Sequence, residues 1–221
     1  MASSALLLLL FCCFAASAMS SDSDPLQDFC VALPAGQNSN IALNGLLCKN
    51  PAQVTAGDFR SPFLRNPGNT SNQLGSAVQL ASALTFPALN TQGLSVARID
   101  FAPKRGLNPP HVHPRASEVL FVVQGQLLVG FVSTTDVLFQ ETLYAGDLFV
   151  FPRGLVHFQL NVGDQPAVAI AALNSQNPGA SQVAKSLFAA QPPLPEQVLE
   201  TAFGVHDDVV KDLIAGVGKT L

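Results

Sequence analysis

The stretch Asn108-Pro-Pro-His-Val-His-Pro-Arg-Ala-Ser-Glu118 contains two of the four histidines of the chain. Because successive side chains of a β-strand point to opposite faces, His111 and His113 are expected to project side by side from one strand. Glu118 opens the apolar run 119–123, which predicts the next strand, entered through a kink. Imidazole nitrogens and carboxylate oxygens are donors that divalent first-row metals accept. The stretch therefore predicts strands that bring His111, His113 and Glu118 into one metal site.

A second stretch, from Gly146 to Asn161, contains His157 shortly after a turn-forming proline and glycine. Alternation along residues 155–161 predicts a strand in which His157, Gln159 and Asn161 share one face. This polar face is expected to line an interior site, with His157 as a fourth metal ligand. The alternative is that the histidines of both stretches only cap the ends of strands.

Short apolar runs bounded by Gly, Pro, Asn or Asp fill the region around these two stretches. Strands are expected at 94–101, 119–123, 126–133, 137–144, 147–151, 155–162 and 167–173. Because no helical segment separates them, they predict an all-β fold, an antiparallel sandwich or barrel. Two prolines precede His111, and proline cannot donate to a central ladder, so this approach is expected to be an edge or a loop.

The C-terminal part of the chain has helical composition at 180–190, 195–203 and 206–217. In the last of these segments, apolar residues recur at helical spacing. These helices are expected to pack on a neighbouring subunit or on the outside of the barrel. A lid formed within the same chain is the alternative.

Composition narrows the functional classes. The chain has 221 residues, 48% of them hydrophobic, and no linker divides it, which favours one domain. Charged residues make up 12% and the net charge is −4, so a nucleic-acid-binding surface is not expected. So few charges also indicate that part of the surface is covered by self-association.

Residues 1–20 are typical of a secretory signal peptide. The apolar run 5–16 leads into Ala16-Ser17-Ala18, which fits a small-x-small cleavage pattern and places cleavage near residues 18–22. The run is too short to span a bilayer stably, so no membrane span is expected, and an uncleaved signal anchor is the alternative. The mature protein is therefore expected outside the cell.

The N-terminal segment 22–72 is expected to be irregular, with short strands. Cys12 and Cys13 would leave with the signal peptide, so Cys30 and Cys48 remain. Two cysteines in an oxidising compartment are expected to pair, with two free thiols as the alternative. Asn69 begins the sequon Asn-Thr-Ser in a run of Asn, Pro, Gly and Ser, which predicts an exposed, N-glycosylated loop.

These stretches resemble the two sequence boxes of the germins, a plant family of the cupin superfamily. The first box is matched from Asn108 to Glu118 and at Gly125, and the second at Gly146, Pro152, Gly154, His157 and Asn161. Segments 24–30 and 174–179 also resemble germin sequences, so the resemblance covers nearly the whole mature chain. It implies a single domain at 21–221: a cupin jelly-roll β-barrel at about 78–174 with a C-terminal helical extension at about 180–218.

The resemblance also implies a cofactor, an assembly and a location. It implies manganese bound by His111, His113, Glu118 and His157, a homohexamer built as a trimer of dimers, and secretion to the apoplast. Donor chemistry alone does not select manganese, because such a site ordinarily binds copper or zinc at least as tightly. Asn108, Gln159 and Asn161 are expected to lie beside the metal ligands or a substrate.

One departure from the family pattern bears on the substrate. Germins that oxidise oxalate place an asparagine on the strand before the first box, and this chain has Ala97 there, while Asn108 matches a second such asparagine. Loss of one amide donor in a buried pocket costs about 1–3 kcal/mol, which disfavours oxalate oxidase activity. The resemblance favours a secreted manganese-binding protein of plant defence, with a possible place in the cell wall, and as alternative a manganese-dependent superoxide dismutase. The expected ligand is a small oxidant or a carboxylate.

Overall fold

The computed structural model describes residues 30–34, 36–39, 42–43 and 46–220. The predicted signal peptide and its cleavage site lie outside these residues. Within them, the strands form one small pair and two five-stranded antiparallel sheets. In chain order the strands are β1 (Ala42–Leu43), β2 (Leu46–Leu47), β3 (Ser76–Ala81), β4 (Ser95–Phe101), β5 (Leu107–Val112), β6 (Glu118–Gln124), β7 (Gln126–Val132), β8 (Leu138–Tyr144), β9 (Leu148–Phe151), β10 (His157–Asn161), β11 (Ala167–Leu173) and β12 (Ser181–Gln182).

The two large sheets face each other as a jelly roll. The first has the order β3-β4-β11-β6-β9 and the second the order β12-β5-β10-β7-β8. Every pairing is antiparallel, because each ladder between the described strands runs in opposite directions. The predicted all-β fold of antiparallel strands is confirmed.

Alternation along the strands builds the core between the sheets. In β6, Leu120 and Val122 are buried while Val119 and Phe121 face outward. Leu127 on β7 is also fully buried, and each such side chain contributes about 1.5–3 kcal/mol relative to an exposed one. The apolar core therefore occupies one part of the space between the sheets, and the polar residues described below occupy another.

Two strands depart from the sequence-based expectation. Strand β3 was not predicted, because it is a sheet edge whose burial does not alternate regularly. The proline approach at 108–110 belongs to strand β5, whose register with β10 shifts between the pairs made by His157 and Gln159. In the described part of the chain, β12 pairs with β5 at Val112 and His111, past the prolines, so the missing proline N–H groups are tolerated.

The N-terminal segment is held by the disulfide that the sequence predicts, between Cys30 and Cys48. Both cysteines are buried, and the amide of the buried Asn90 donates to Cys30 Sγ at 3.1 Å. The N–H of Ala32 donates to the carbonyl of Pro87 at 3.2 Å. The disulfide is thus anchored to the turn that precedes β4.

The three helices of the described C-terminal part are α1 (Val183–Phe188), α2 (Glu196–Phe203) and α3 (Asp207–Thr220). Gly204, with φ 63°, adopts the left-handed conformation that ends α2. Helix α3 packs against α1 and α2, and α1 packs against β5 and β12. None of the helices in the described residues combines the length and apolarity needed to cross a bilayer.

Candidate metal centre

Three strands deliver the four predicted ligands. His111 lies in β5 directly opposite His157, the first residue of β10, while His113 follows the last residue of β5. Glu118 is the first residue of β6 and comes from the other sheet. All four residues are buried, with exposed fractions of 2% to 8%. The fold therefore gathers residues 111, 113, 118 and 157 in the space between the sheets, away from bulk water.

The candidate ligand atoms converge on one point. Glu118 Oε2 lies 2.9 Å from His113 Nε2 and 3.5 Å from His157 Nε2. The ring centroids of His111 and His157 are 4.1 Å apart. One ligand atom from each of the four residues lies within 4.8 Å of all the others. This spacing suits four donors around a single ion.

Backbone carbonyl groups fix the orientation of all three imidazoles. The Nδ1 atoms of His111, His113 and His157 lie 2.8, 2.5 and 2.9 Å from the carbonyl oxygens of residues 109, 179 and 155. A carbonyl only accepts, so each Nδ1 carries a proton, and Nε2 is the nitrogen of each ring that is left to face a metal ion. This is the arrangement by which proteins hold histidine ligands of metals.

Two candidate ligand atoms have no hydrogen-bond partner within the described structure. Glu118 Oε1 and His157 Nε2 are buried without a hydrogen-bond partner among the described residues. A buried polar atom left unpaired costs about 1–3 kcal/mol, and more if it is charged. A bound cation would satisfy both atoms, so the residues present fit a metal ion.

The protonation states also suit a cation. Burial, followed by the nearby His157, lowers the pKa of His111 to about 4. Burial alone would raise the pKa of Glu118, but the neighbouring imidazoles of His113 and His157 outweigh it and hold the value at about 2. Burial opposes a charged His113, yet the hydrogen bonds to Glu118 and Gly179 raise its pKa. The site therefore offers an anionic carboxylate and a neutral His111 at ordinary pH.

The predicted neighbours of the ligands divide into two groups. Asn108 and Gln159 are buried opposite each other on β5 and β10, and Asn108 Nδ2 donates to Gln159 Oε1 at 2.7 Å. This bond leaves Gln159 Nε2 buried without a partner among the described residues. Asn161 instead uses its amide on backbone groups of residues 102, 163 and 165. The structure thus gives Asn161 the role of bracing loops at the far end of β10.

Ala97 lies in the apolar core. Its cross-strand neighbours are Leu80 on β3 and Ala171 on β11, and it belongs to the same buried cluster as Leu120. The row that contains Glu118 passes instead through Ser95, two residues earlier on β4. No amide stands at position 97, and apolar side chains surround it.

Two groups that support the site, the ring of Phe151 and the carbonyl of Gly179, are not predicted from the sequence. The ring of Phe151 stacks on His157 at a centroid distance of 4.5 Å and an interplanar angle of 23°. The carbonyl oxygen of Gly179 accepts from His113 across 66 residues of sequence. The Gly179 contact involves a backbone atom, which no residue type marks.

Asn69 is exposed, as expected for a glycosylated loop, and its glycosylation stays a prediction.

Comparison with known proteins gives concordant matches. The cupin family model matches residues 63–211. Germin-like protein 1-3 of Oryza sativa subsp. japonica is 53% identical over 201 residues, which cover 91% of this chain and 90% of the relative. Germin-like protein subfamily 2 member 1 of Arabidopsis thaliana is 50% identical over 216 residues, which cover 96% of each.

Solved structures agree with the sequence relatives. A structure from a study of the mechanism of oxalate oxidase superimposes with a TM-score of 0.84 at 44% identity, covering 89% of this chain and 98% of that one. Recombinant oxalate oxidase in complex with glycolate gives the same TM-score and coverage at 43% identity. Together, the family match, the relatives and the shared fold show that this chain belongs to the germin-like proteins of the cupin family.

Proposed function

We propose that this protein is a secreted germin-like protein that binds manganese through His111, His113, Glu118 and His157. The observation that carries the proposal is the convergence of three Nε2 atoms and one carboxylate, each histidine being held by a carbonyl at Nδ1. The choice of manganese rests on the resemblance to germins, since this donor set also suits copper or zinc.

Metal analysis of the secreted native protein tests this proposal. We expect near-stoichiometric manganese by mass spectrometry, and loss of the metal in His157→Ala because a ligand is missing. His206→Ala is the matched control, because His206 is exposed at the start of α3. Copper or zinc in place of manganese would refute the choice of metal, and equal metal content in His157→Ala would refute the site.

Secretion, apoplastic location, association with the cell wall and a part in plant defence belong to the same proposal. The predicted signal peptide and the resemblance to germins support them. Expression of the full chain in plant cells, followed by recovery of the protein from the apoplastic fluid, tests the location. Retention of the protein inside the cell would count against it.

A manganese-dependent superoxide dismutase activity is the second candidate. Manganese held by the four side chains would supply one-electron redox chemistry to a small ligand. Gln159 Nε2 favours this candidate, because it is a buried donor without a partner among the described residues and its orientation is fixed by Asn108. Such a donor would hold the oxygen of a small anion. A riboflavin–nitroblue tetrazolium assay compares the manganese-loaded protein with His111→Ala. Equal superoxide dismutase activity in the two would refute this candidate.

Oxalate oxidase activity is the third and less favoured candidate. The likeness to oxalate oxidase structures supports it, and the resemblance to germins opposes it, because germins that oxidise oxalate have an asparagine where this chain has Ala97. An oxalate carboxylate would lose about 1–3 kcal/mol of binding without that donor. We expect no hydrogen peroxide release from oxalate by the manganese-loaded protein, and release at the rate of an oxalate oxidase control would overturn this expectation.

Self-association as a homohexamer is also proposed, and an exposed apolar surface supports it. Val119 and Phe121 on β6 pair with Val150 and Leu148 on β9, and all four side chains face outward with exposed fractions of 40% to 63%. Surfaces of this kind mark protein contacts. We expect sedimentation of the hexamer to shift to smaller species in Phe121→Lys. Val78→Lys, at an exposed apolar position of β3, is the control.

A further inference from the structure

The three histidines differ in the origin of the carbonyl that holds them. Pro109 and Leu155 each lie two residues before the histidine whose Nδ1 they accept from. The corresponding carbonyl for His113 belongs to Gly179, 66 residues away. His113 also stands directly after β5 rather than inside it. The orientation of His113 therefore depends on a distant segment of the chain.

That segment, residues 174–179, is here named the C-terminal clasp. It is joined to the loop between His113 and Glu118 at several points. Arg115 Nε donates to the carbonyl of residue 177 at 2.6 Å, and the Arg115 N–H donates to that of residue 178 at 3.1 Å. The N–H of Ser117 donates to Asn174 Oδ1 at 2.8 Å. Arg115 thus supplies both a backbone and a side-chain bond to the two residues before Gly179.

Gly179 packs closely against Arg115 and Pro114. Its φ is +69°, a conformation that L side chains rarely adopt. A Cβ atom there would lie 2.9 Å from Arg115 Nη2, closer than such atoms approach, and 3.1 Å from Pro114 Cγ, which is tighter than most such contacts. The Arg115 side chain, the Pro114 ring and the bare Gly179 backbone therefore fix where the Gly179 carbonyl lies.

We propose that Arg115 is a positioning residue for the metal site, because it holds the Gly179 carbonyl against His113 Nδ1 and so presents His113 Nε2 to the metal. The inference rests on the proposed metal-binding function. It also links the site to the C-terminal helices, since Ser181 and Gln182 pair with β5 at Val112 and His111 and lead directly into α1.

The test compares Arg115→Ala with Arg115→Lys and with Arg65→Ala, an exposed arginine outside the clasp. Manganese affinity is measured by titration of the metal-free native protein. Loss of a partner that orients a metal ligand typically lowers affinity about 10–100-fold, and we expect this for Arg115→Ala. Arg115 donates through Nε, whose place in lysine is a methylene carbon, so Arg115→Lys keeps the charge but should lose affinity as Arg115→Ala does. Arg65→Ala should match the wild type.

A second readout separates positioning from general stability. In the metal-free protein, ¹⁵N shifts of labelled histidine report which ring nitrogen carries the proton. At a pH high enough for His113 to be neutral, we expect it to be protonated at Nδ1 in the wild type and to become a mixture of tautomers in Arg115→Ala, while His111 and His157 stay unchanged. Gly179→Ala should reproduce this result independently, because its side chain would displace the same carbonyl.

Each outcome bears on one of the two proposals. Wild-type affinity and an unchanged His113 tautomer in Arg115→Ala would overturn the inference, and so would a lower melting temperature with both readouts unchanged. If the wild type fails to bind manganese but the tautomer of His113 alone responds to Arg115→Ala, the positioning role stands and the proposed metal function fails.

Discussion

The candidate site has two halves that are built differently. In the ladder half, His111 and His157 are cross-strand neighbours, and each is oriented by a carbonyl two residues before it. In the loop half, His113 and Glu118 flank an irregular loop, and a carbonyl from the C-terminal clasp orients His113. Local sequence orients each imidazole of the ladder half, whereas the orientation of His113 depends on contacts between residues 113–118 and 174–179.

The largest expected effect comes from removing the packing on the ladder half. Phe151→Ala removes a buried ring that stacks on His157, and a substitution of this kind costs about 3–5 kcal/mol of unfolding free energy. Chemical denaturation of the metal-free protein measures it. Phe139→Ala, at a half-exposed ring on β8, is the control and should cost far less. If Phe151→Ala loses no more unfolding free energy than Phe139→Ala, the stacked ring of Phe151 does not stabilise the ladder half.

Acidification should change the stabilisation contributed by His111 and by His113 in opposite directions. The pKa of His111 falls from the usual 6.5 to about 4 in the folded protein, so its stabilisation is present above pH 6.5 and is lost as the pH falls to about 4. At about 1.4 kcal/mol per tenfold change in the proton equilibrium, the loss is of order 3 kcal/mol. The pKa of His113 is raised, so its contribution is present at low pH and is lost as the pH rises through that value.

The free energy of unfolding of the metal-free protein, measured by denaturation from about pH 4 to about pH 8, checks this difference. His111→Gln should flatten the fall in stability toward acid pH, and His113→Gln should leave that fall in place. The same slope in His111→Gln and the wild type would contradict the assignment to the ladder half.

A smaller effect is expected where the ladder half meets a ligand. Asn108→Ala removes the donor to Gln159 Oε1 and leaves a buried amide free to turn, at a cost of about 1–3 kcal/mol. Binding of a small anion should weaken as well, because Gln159 Nε2 is no longer fixed. Azide titration of the metal-loaded protein measures this binding. Asn161→Ala is the control, since Asn161 braces loops, and it should lower stability without weakening azide binding.

The difference between the ladder half and the loop half explains which parts of the site can be predicted from the sequence. His111 and His157 follow from alternation along strands, and Gln159 follows from sharing a face with His157. The disulfide follows from counting the cysteines that survive secretion. In these cases a residue type and a local period carry the information, and the structure agrees with both.

The remainder depends on contacts between distant segments. Strand β3 shows no clean alternation because it is a half-covered edge, and β12 has two residues, too few for a pattern. The support for His113 comes from the backbone carbonyl of Gly179, and a carbonyl is present at every residue. Segment 174–179 is distinguished in the sequence only by its resemblance to germins, which implies no role for it.

The smallest expected effect probes the loop half at the edge of the clasp. Asn174→Ala removes the acceptor of the Ser117 N–H, at a cost of about 0.5–1.5 kcal/mol, because water can replace part of this exposed bond. Hydrogen exchange measured by mass spectrometry should accelerate in peptides covering residues 113–118 and 174–179, and should not change in 155–161. The exposed Asn66→Ala is the control and should leave all three peptides unchanged. Equal acceleration in 155–161 would mean that the two halves of the site open together, and the distinction between them would then describe how the site is built but not how it moves.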